Sequence, residues 1–342
     1  MNRPPSPLIM LLSRHTRRRE FIAGLSGAAA WPLAARAQQV ALPVVGVVSA
    51  GMADLSTPGV ARFRAGLGEL GYVEGQNVAV EYHYLEGRFD RIPALMAELV
   101  RRRVAVLVTS GTVAGALEAK AATTTIPIVF GVNDNPVRLG LVASLARPGG
   151  NLTGTNFFSQ EAVPKRLGLL HELVPKVNRV AMLINPSNLV ASETALREAQ
   201  NAAPAIGLSI DILEASTSRE IDEVFAAMGR EQIGALLIAG DSYFASRSVQ
   251  LATLGARHGI ATSSNLRGFV QVGGLMSYGP DIAESNRQLG VYTGRILKGA
   301  VPADLPIVQS TKFELMINAQ TARVLGIEVP ATLLAQADEV IE

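Results

Sequence analysis

Val104-Ala105-Val106-Leu107-Val108-Thr109 is a nearly unbroken apolar run of strand length. Ser110-Gly111-Thr112 closes it, and Thr112 to Ala121 reads as a helix. A buried strand, a small polar turn and a helix form the repeating unit of a parallel sheet covered on both faces. Working outward, the same unit recurs. Val44 to Ser49 is a strand, Val60 to Leu70 an amphipathic helix ended by Gly71, and Val78 to Tyr84 a strand. Arg91 to Arg101 is a helix, and Ile126 to Phe130 the next strand.

The rhythm breaks at Arg147-Pro148-Gly149-Gly150-Asn151 and restarts. Val180 to Asn185, Leu208 to Leu213 and Ala235 to Ala239 are strands; Ser192 to Ala203, Ile221 to Met228 and Ser246 to His258 are helices. Leu275 to Tyr278 (strand), Ile282 to Lys298 (helix) and Phe313 to Asn318 (strand) exceed what the second unit needs. The chain is therefore expected to return, complete the first lobe and leave again. The fold class is α/β, two doubly wound parallel-sheet lobes joined by a three-crossing hinge. Residues 42–155 plus 274–307 make the first lobe, and 156–273 plus 308–342 the second. The crossings fall near Thr153 to Phe157, Gly274 to Tyr278 and Ile307 to Thr311.

The first forty residues do not belong to this pattern. Arg17-Arg18-Arg19-Glu20-Phe21-Ile22 precedes a mild Ala/Gly stretch and then Ala35-Arg36-Ala37, which reads as a twin-arginine export leader cut near Ala37. Its apolar part is about 13 residues, against about 20 needed to span a bilayer. The whole chain has 31 Lys+Arg and 29 Asp+Glu; the leader holds six arginines and one glutamate, leaving 25 against 28. A mildly acidic mature chain has no electrostatic footprint for nucleic acid. The absence of Cys removes thiol chemistry, disulfides and thiolate metal sites.

Five further stretches carry a resemblance. They are Gly71-Tyr72-Val73-Glu74-Gly75-Gln76-Asn77, Arg147-Pro148-Gly149-Gly150-Asn151-Leu152-Thr153-Gly154, Gly273-Gly274-Leu275-Met276-Ser277-Tyr278-Gly279, Arg295-Ile296-Leu297-Lys298-Gly299 and Lys312-Phe313-Glu314-Leu315. In this order the chain resembles the ABC transporter substrate-binding protein family, of type I periplasmic binding protein fold, from residue 42 to the end. The resemblance implies the fold, the hinge and a role in import, in which a small-molecule ligand is passed to an ABC permease in the inner membrane; with the leader, the receptor is expected to be periplasmic, and it is expected to be monomeric. Some members bind aromatic or other amino acids.

Gly66-Leu67-Gly68-Glu69-Leu70-Gly71 matches a dinucleotide fingerprint by letter, but it lies at the end of a helix rather than in a strand-to-helix turn, so no cofactor is implied. No nucleophile, metal or acid/base constellation is present, and His83, His171 and His258 lie on separate elements. That argues against an extracytoplasmic enzyme. A sensory receptor on the same fold stays compatible.

Small polar residues at strand ends remain, where open α/β sheets bind ligands. In the first lobe these are Ser49 and Gly51, then Ser110, Gly111 and Thr112, then Asn133 and Asp134. In the second they are Asn185, Ser187 and Asn188, then Asp241 and Tyr243, then Ser264 and Asn265. Ser110 to Thr112, opening a helix, is expected to meet a ligand carboxylate. Asp241, by the family resemblance and by charge, is expected to meet an ammonium, although a helix-capping role suits it equally well. Phe157, Phe158 and Tyr278 lie near the crossings, as cleft lining or hinge packing.

Overall fold

The computed structural model describes residues 42–51, 53–157, 162–310 and 312–342. The expected leader, Phe158 and Thr311 lie outside the described residues. Among the described residues thirteen strands follow in chain order: β1 Val44–Ser49, β2 Ala79–Tyr84, β3 Val106–Ser110, β4 Ile128–Val132, β5 Leu152–Asn156, β6 Arg179–Ile184, β7 Ser209–Glu214, β8 Ala235–Ile238, β9 Ala261–Ser264, β10 Met276–Pro280, β11 Val308–Gln309, β12 Phe313–Asn318 and β13 Glu339–Ile341.

They form two sheets, ordered β2-β1-β3-β4-β5-β11 and β7-β6-β8-β9-β10-β12-β13. The first is parallel throughout. The second is parallel as far as β10; there β12 joins antiparallel and carries β13 with it. The first five strands of each sheet repeat one doubly wound order, whose switch points lie between β1 and β3 and between β6 and β8. Apolar clusters cover both faces of each sheet, as the continuous Val/Ile/Leu strands require.

The three passages between sheets occur after Phe157, after Pro280 and after Ser310. Two expected boundaries move. Met276–Pro280 pairs with β9 and β12 in the second sheet instead of opening the return, and Val308–Gln309 pairs with β5 in the first sheet. A short apolar run shows that a strand exists, but its partner is decided by a register that local sequence does not carry. Gly279 shows why β10 fits only where it does: a Cβ there would lie 1.9 Å from the Asn265 carbonyl oxygen.

The returning helix Ile282–Leu297 packs on helix Ala53–Glu69, closing one face of the first sheet with Leu289, Val291 and Tyr292 over Val45, Val47 and Phe63. The two helices touch backbone to backbone. A Cβ on Gly66 would lie 2.0 Å from the Arg287 carbonyl oxygen, and one on Gly290 would lie 2.1 Å from that of Phe63. Of the three glycines that imitate a nucleotide fingerprint, Gly66 thus serves helix contact, whereas a Cβ on Gly68 or Gly71 would meet nothing within 4 Å. Helix Ala53–Glu69 ends as expected at Gly71, whose N–H bonds the Gly68 carbonyl while Tyr72 N–H bonds that of Leu67.

Candidate functional site

The carboxyl ends of both sheets face one cleft of about 700 Å³. Register explains its first wall. Ser49 at the end of β1 stands beside Tyr84 of β2 and Ser110 of β3. Two residues back Val47 stands beside Tyr82 and Val108, and all six residues line the cleft. Phe63 and Phe157 complete an aromatic wall. Burial pushes the Tyr82 phenol up to about 12, so it stays neutral at physiological pH.

Of the expected site residues, Ser49, Gly51, Ser110, Gly111, Asn133, Asp241 and Asn265 line the cleft. The others stand behind it. Thr112 is 1% exposed and its hydroxyl accepts from Gly115 N–H at 3.0 Å, capping helix Val113–Ala122. Asp134 is equally buried, paired with Arg138 and accepting from Asn135 N–H. Ser264 accepts from Leu266 N–H, and Ser187 bonds the Ser216 hydroxyl. Tyr243 packs towards Gly87 of the first lobe, with the Arg247 guanidinium over its ring. Tyr278 stacks on Phe313 beside the second passage.

Asn185 and Asn188 have a role that their sequence positions hid. Asn185 Nδ2 donates to Asp241 Oδ1 at 3.1 Å, Asn188 Nδ2 to Oδ2 at 2.7 Å, and Tyr243 N–H to Oδ1 at 2.8 Å. Asn185 Oδ1 is itself held by Ser187 N–H and the Ser216 hydroxyl. Asp241 is therefore both the cap of the short helix Ser242–Ser246 and a carboxylate fixed at the cleft surface, with acceptor capacity left on Oδ2. Nearby, Arg166 is wholly buried and donates to the Ile238 carbonyl at 3.0 Å; burial pulls its guanidinium down to about 10, so it remains a cation.

The lobes touch directly. Ser242 Oγ donates across the cleft to the Gly111 carbonyl at 3.0 Å, and Asn133 Nδ2 to the Gly240 carbonyl at 3.3 Å. Both bonds join protein groups of the two lobes directly. Ser242→Ala is expected to remove about 1 kcal/mol from closure alone, so every ligand should bind roughly fivefold more weakly through faster release. Stopped-flow dissociation rates check this; a loss confined to one ligand would make Ser242 a ligand contact instead.

Sequence reading missed Phe63, Tyr82, Tyr84, Asp281 and Asn286, all of which line the cleft. Tyr84 had a usable signal, since the parallel pairing of β1 with β2 places it beside Ser49. Asn286 had none, because only the returning helix brings it to the first lobe.

Two lobes of one doubly wound order around a shared cleft, exchanging three chain passages, define a binding protein of the two-lobed periplasmic type. The family model for ABC transporter substrate binding proteins matches residues 41–341, and the chain belongs to that family. It is similar to the tyrosine-binding protein of Clostridioides difficile strain R20291, 24% identical over 266 residues, or 78% of this chain and 76% of that one. Among solved structures it is similar to an ABC domain in complex with L-Trp from Streptococcus pneumonia, with a TM-score of 0.77, 25% identity, 88% of this chain and all of that one. A conserved domain protein from Vibrio cholerae O1 biovar El Tor superposes with a TM-score of 0.78 at 26% identity, over 87% of this chain and 99% of that one.

Proposed function

We propose that this protein is an exported receptor that closes on an aromatic amino acid, or a close relative of one, and delivers it to an ABC permease without altering it. In this reading the leader is removed near Ala37, and the mature chain works in the periplasm as a monomer. One juxtaposition carries the proposal. A wall of Phe63, Tyr82, Tyr84 and Phe157 on the first lobe shares a single cleft with the fixed Asp241 carboxylate on the second. Aromatic faces bury and stack a flat apolar side chain, while a preorganised carboxylate replaces the water that an ammonium loses on entry. The tyrosine-binding and tryptophan-bound relatives support the same class.

Thermal unfolding with amino acids, amides, sugars and small carboxylates tests it. A cognate ligand at 100 times its dissociation constant adds about 2.7 kcal/mol. L-tyrosine, L-tryptophan or L-phenylalanine is expected to give the largest rise in Tm. Stabilisation by sugars or by carboxylates lacking an amino group, with none from amino acids, would overturn the ligand class.

A further inference from the structure

In the Ser110-Gly111-Thr112 turn, expected to hold a carboxylate, the Ser110 hydroxyl and the Gly111 N–H already have acceptors. Ser110 Oγ donates to Asn286 Oδ1 at 3.1 Å, Gly111 N–H donates to the Gly131 carbonyl at 3.0 Å, and the Thr112 hydroxyl is buried at its helix cap. With its proton spent, the Ser110 hydroxyl offers the cleft lone pairs only. A carboxylate placed against the Ser110 oxygen would meet an acceptor.

The same bond orients Asn286. Its Oδ1 is engaged by Ser110, so the amide presents Nδ2, which carries two protons, to the cleft that Asn286 lines. Gly59 keeps the neighbouring space open, since a Cβ there would lie 3.2 Å from Nδ2. Leu289, three residues on along the helix, and Phe63 line the cleft beside it. A polar donor of fixed direction thus stands beside apolar Phe63 and Leu289 on the lobe opposite Asp241, with the charged Arg62 and Asp281 also lining the cleft.

We propose that Asn286 is a specificity-determining residue: its Nδ2 donates to the carboxylate of the bound amino acid, while Asp241 on the second lobe holds the ammonium. This rests on the amino-acid reading given above. The two ends of one small zwitterion then bridge the lobes, and ligands lacking either end close the cleft less well. Arg62 is the competing anchor, since it also lines the cleft and forms no ion pair with a carboxylate among the described residues.

Asn286→Asp separates these possibilities. Aspartate keeps an acceptor for Ser110 and replaces the donor by a negative oxygen. Calorimetric affinities of the full-length mature protein would be measured for L-tryptophan and tryptamine, and for L-tyrosine and tyramine, which differ by the carboxylate. The amino acids are expected to lose at least tenfold and the amines nothing, so the preference for amino acid over amine falls by at least tenfold. Asn286→Ala, which adds no charge, is expected to lose about fivefold or more for the amino acids alone, and serves if the aspartate variant fails to fold. Equal losses for amino acid and amine, or a carboxylate preference that disappears in Arg62→Ala and survives in both Asn286 variants, would overturn the assignment while leaving the amino-acid reading intact. A wild-type protein that binds none of the four compounds, and not L-phenylalanine either, would overturn both.

Discussion

Asp241→Ala is expected to weaken amino-acid binding by about 2 kcal/mol or more, roughly thirtyfold, because a ligand ammonium in a closed cleft would lose the carboxylate held ready to pair with it. The variant also loses the cap on Tyr243 N–H and leaves the Asn185 and Asn188 amides without their acceptor. Stability should therefore fall by about 1 to 2 kcal/mol as well. The two effects are read separately, by calorimetric affinity and by ligand-free Tm. A reduced Tm with an unchanged dissociation constant would leave Asp241 a cap and nothing more. Asp241→Asn is a less clean probe than its size suggests. Asn185 cannot turn its amide around, since its Oδ1 already accepts from Ser187 and Ser216. A new amide at 241 must therefore point its NH2 at Asn188, which has to rotate in response.

Gly290→Ala is expected to cost about 3 kcal/mol, lowering Tm by about 6 to 12 °C. The added methyl would sit 2.1 Å from the Phe63 carbonyl oxygen, and a helix backbone cannot yield as a flexible side-chain end can. Gly68 supplies the internal control. It belongs to the same glycine-rich stretch as Gly66, yet a Cβ there meets nothing within 4 Å. Gly68→Ala should be neutral or stabilising by up to about 1 kcal/mol, from helix propensity alone. Similar Tm values for the two variants would mean that the helices do not meet as described.

The comparison of these glycines also shows what was legible beforehand. That Gly66 and Gly68 were helical followed from the apolar face of Phe63, Leu67 and Leu70 and from the stop at Gly71. That one abuts a neighbour and the other faces solvent did not, because the neighbour lies more than two hundred residues away in the chain. The strands most readily seen were runs such as Val106–Ser110, where burial on both faces makes composition a sufficient signal. β5, Leu-Thr-Gly-Thr-Asn, is equally buried but polar; it passed unnoticed, although its place in the sheet satisfies its backbone. In the site the polar strand ends were visible because small polar residues at those points are needed either for caps or for ligands. Which role each residue had was not visible. Thr112 and Asn185 proved to be supports, whereas Tyr82 and Tyr84, ordinary strand residues by pattern, face the cleft.

The returning helix has a further consequence, for manufacture rather than binding. Val45, Val47 and Phe63 receive their cover from Leu289, Val291, Tyr292 and Leu305, and β5 gains its outer neighbour only at Val308. During synthesis the older half of the polypeptide therefore carries an uncovered greasy flank until translation is nearly finished. Chaperones have a long interval in which to bind it, and aggregation has the same interval. It follows that no single cut in the gene can yield either half as an autonomous piece. A fragment ending at Pro280 would lack the lid of the first lobe, and one beginning at Ala162 would carry that lid with nothing to cover. A self-sufficient first half would need residues 281–310 stitched directly behind Phe157, a rearranged gene whose solubility can be tested in one expression trial.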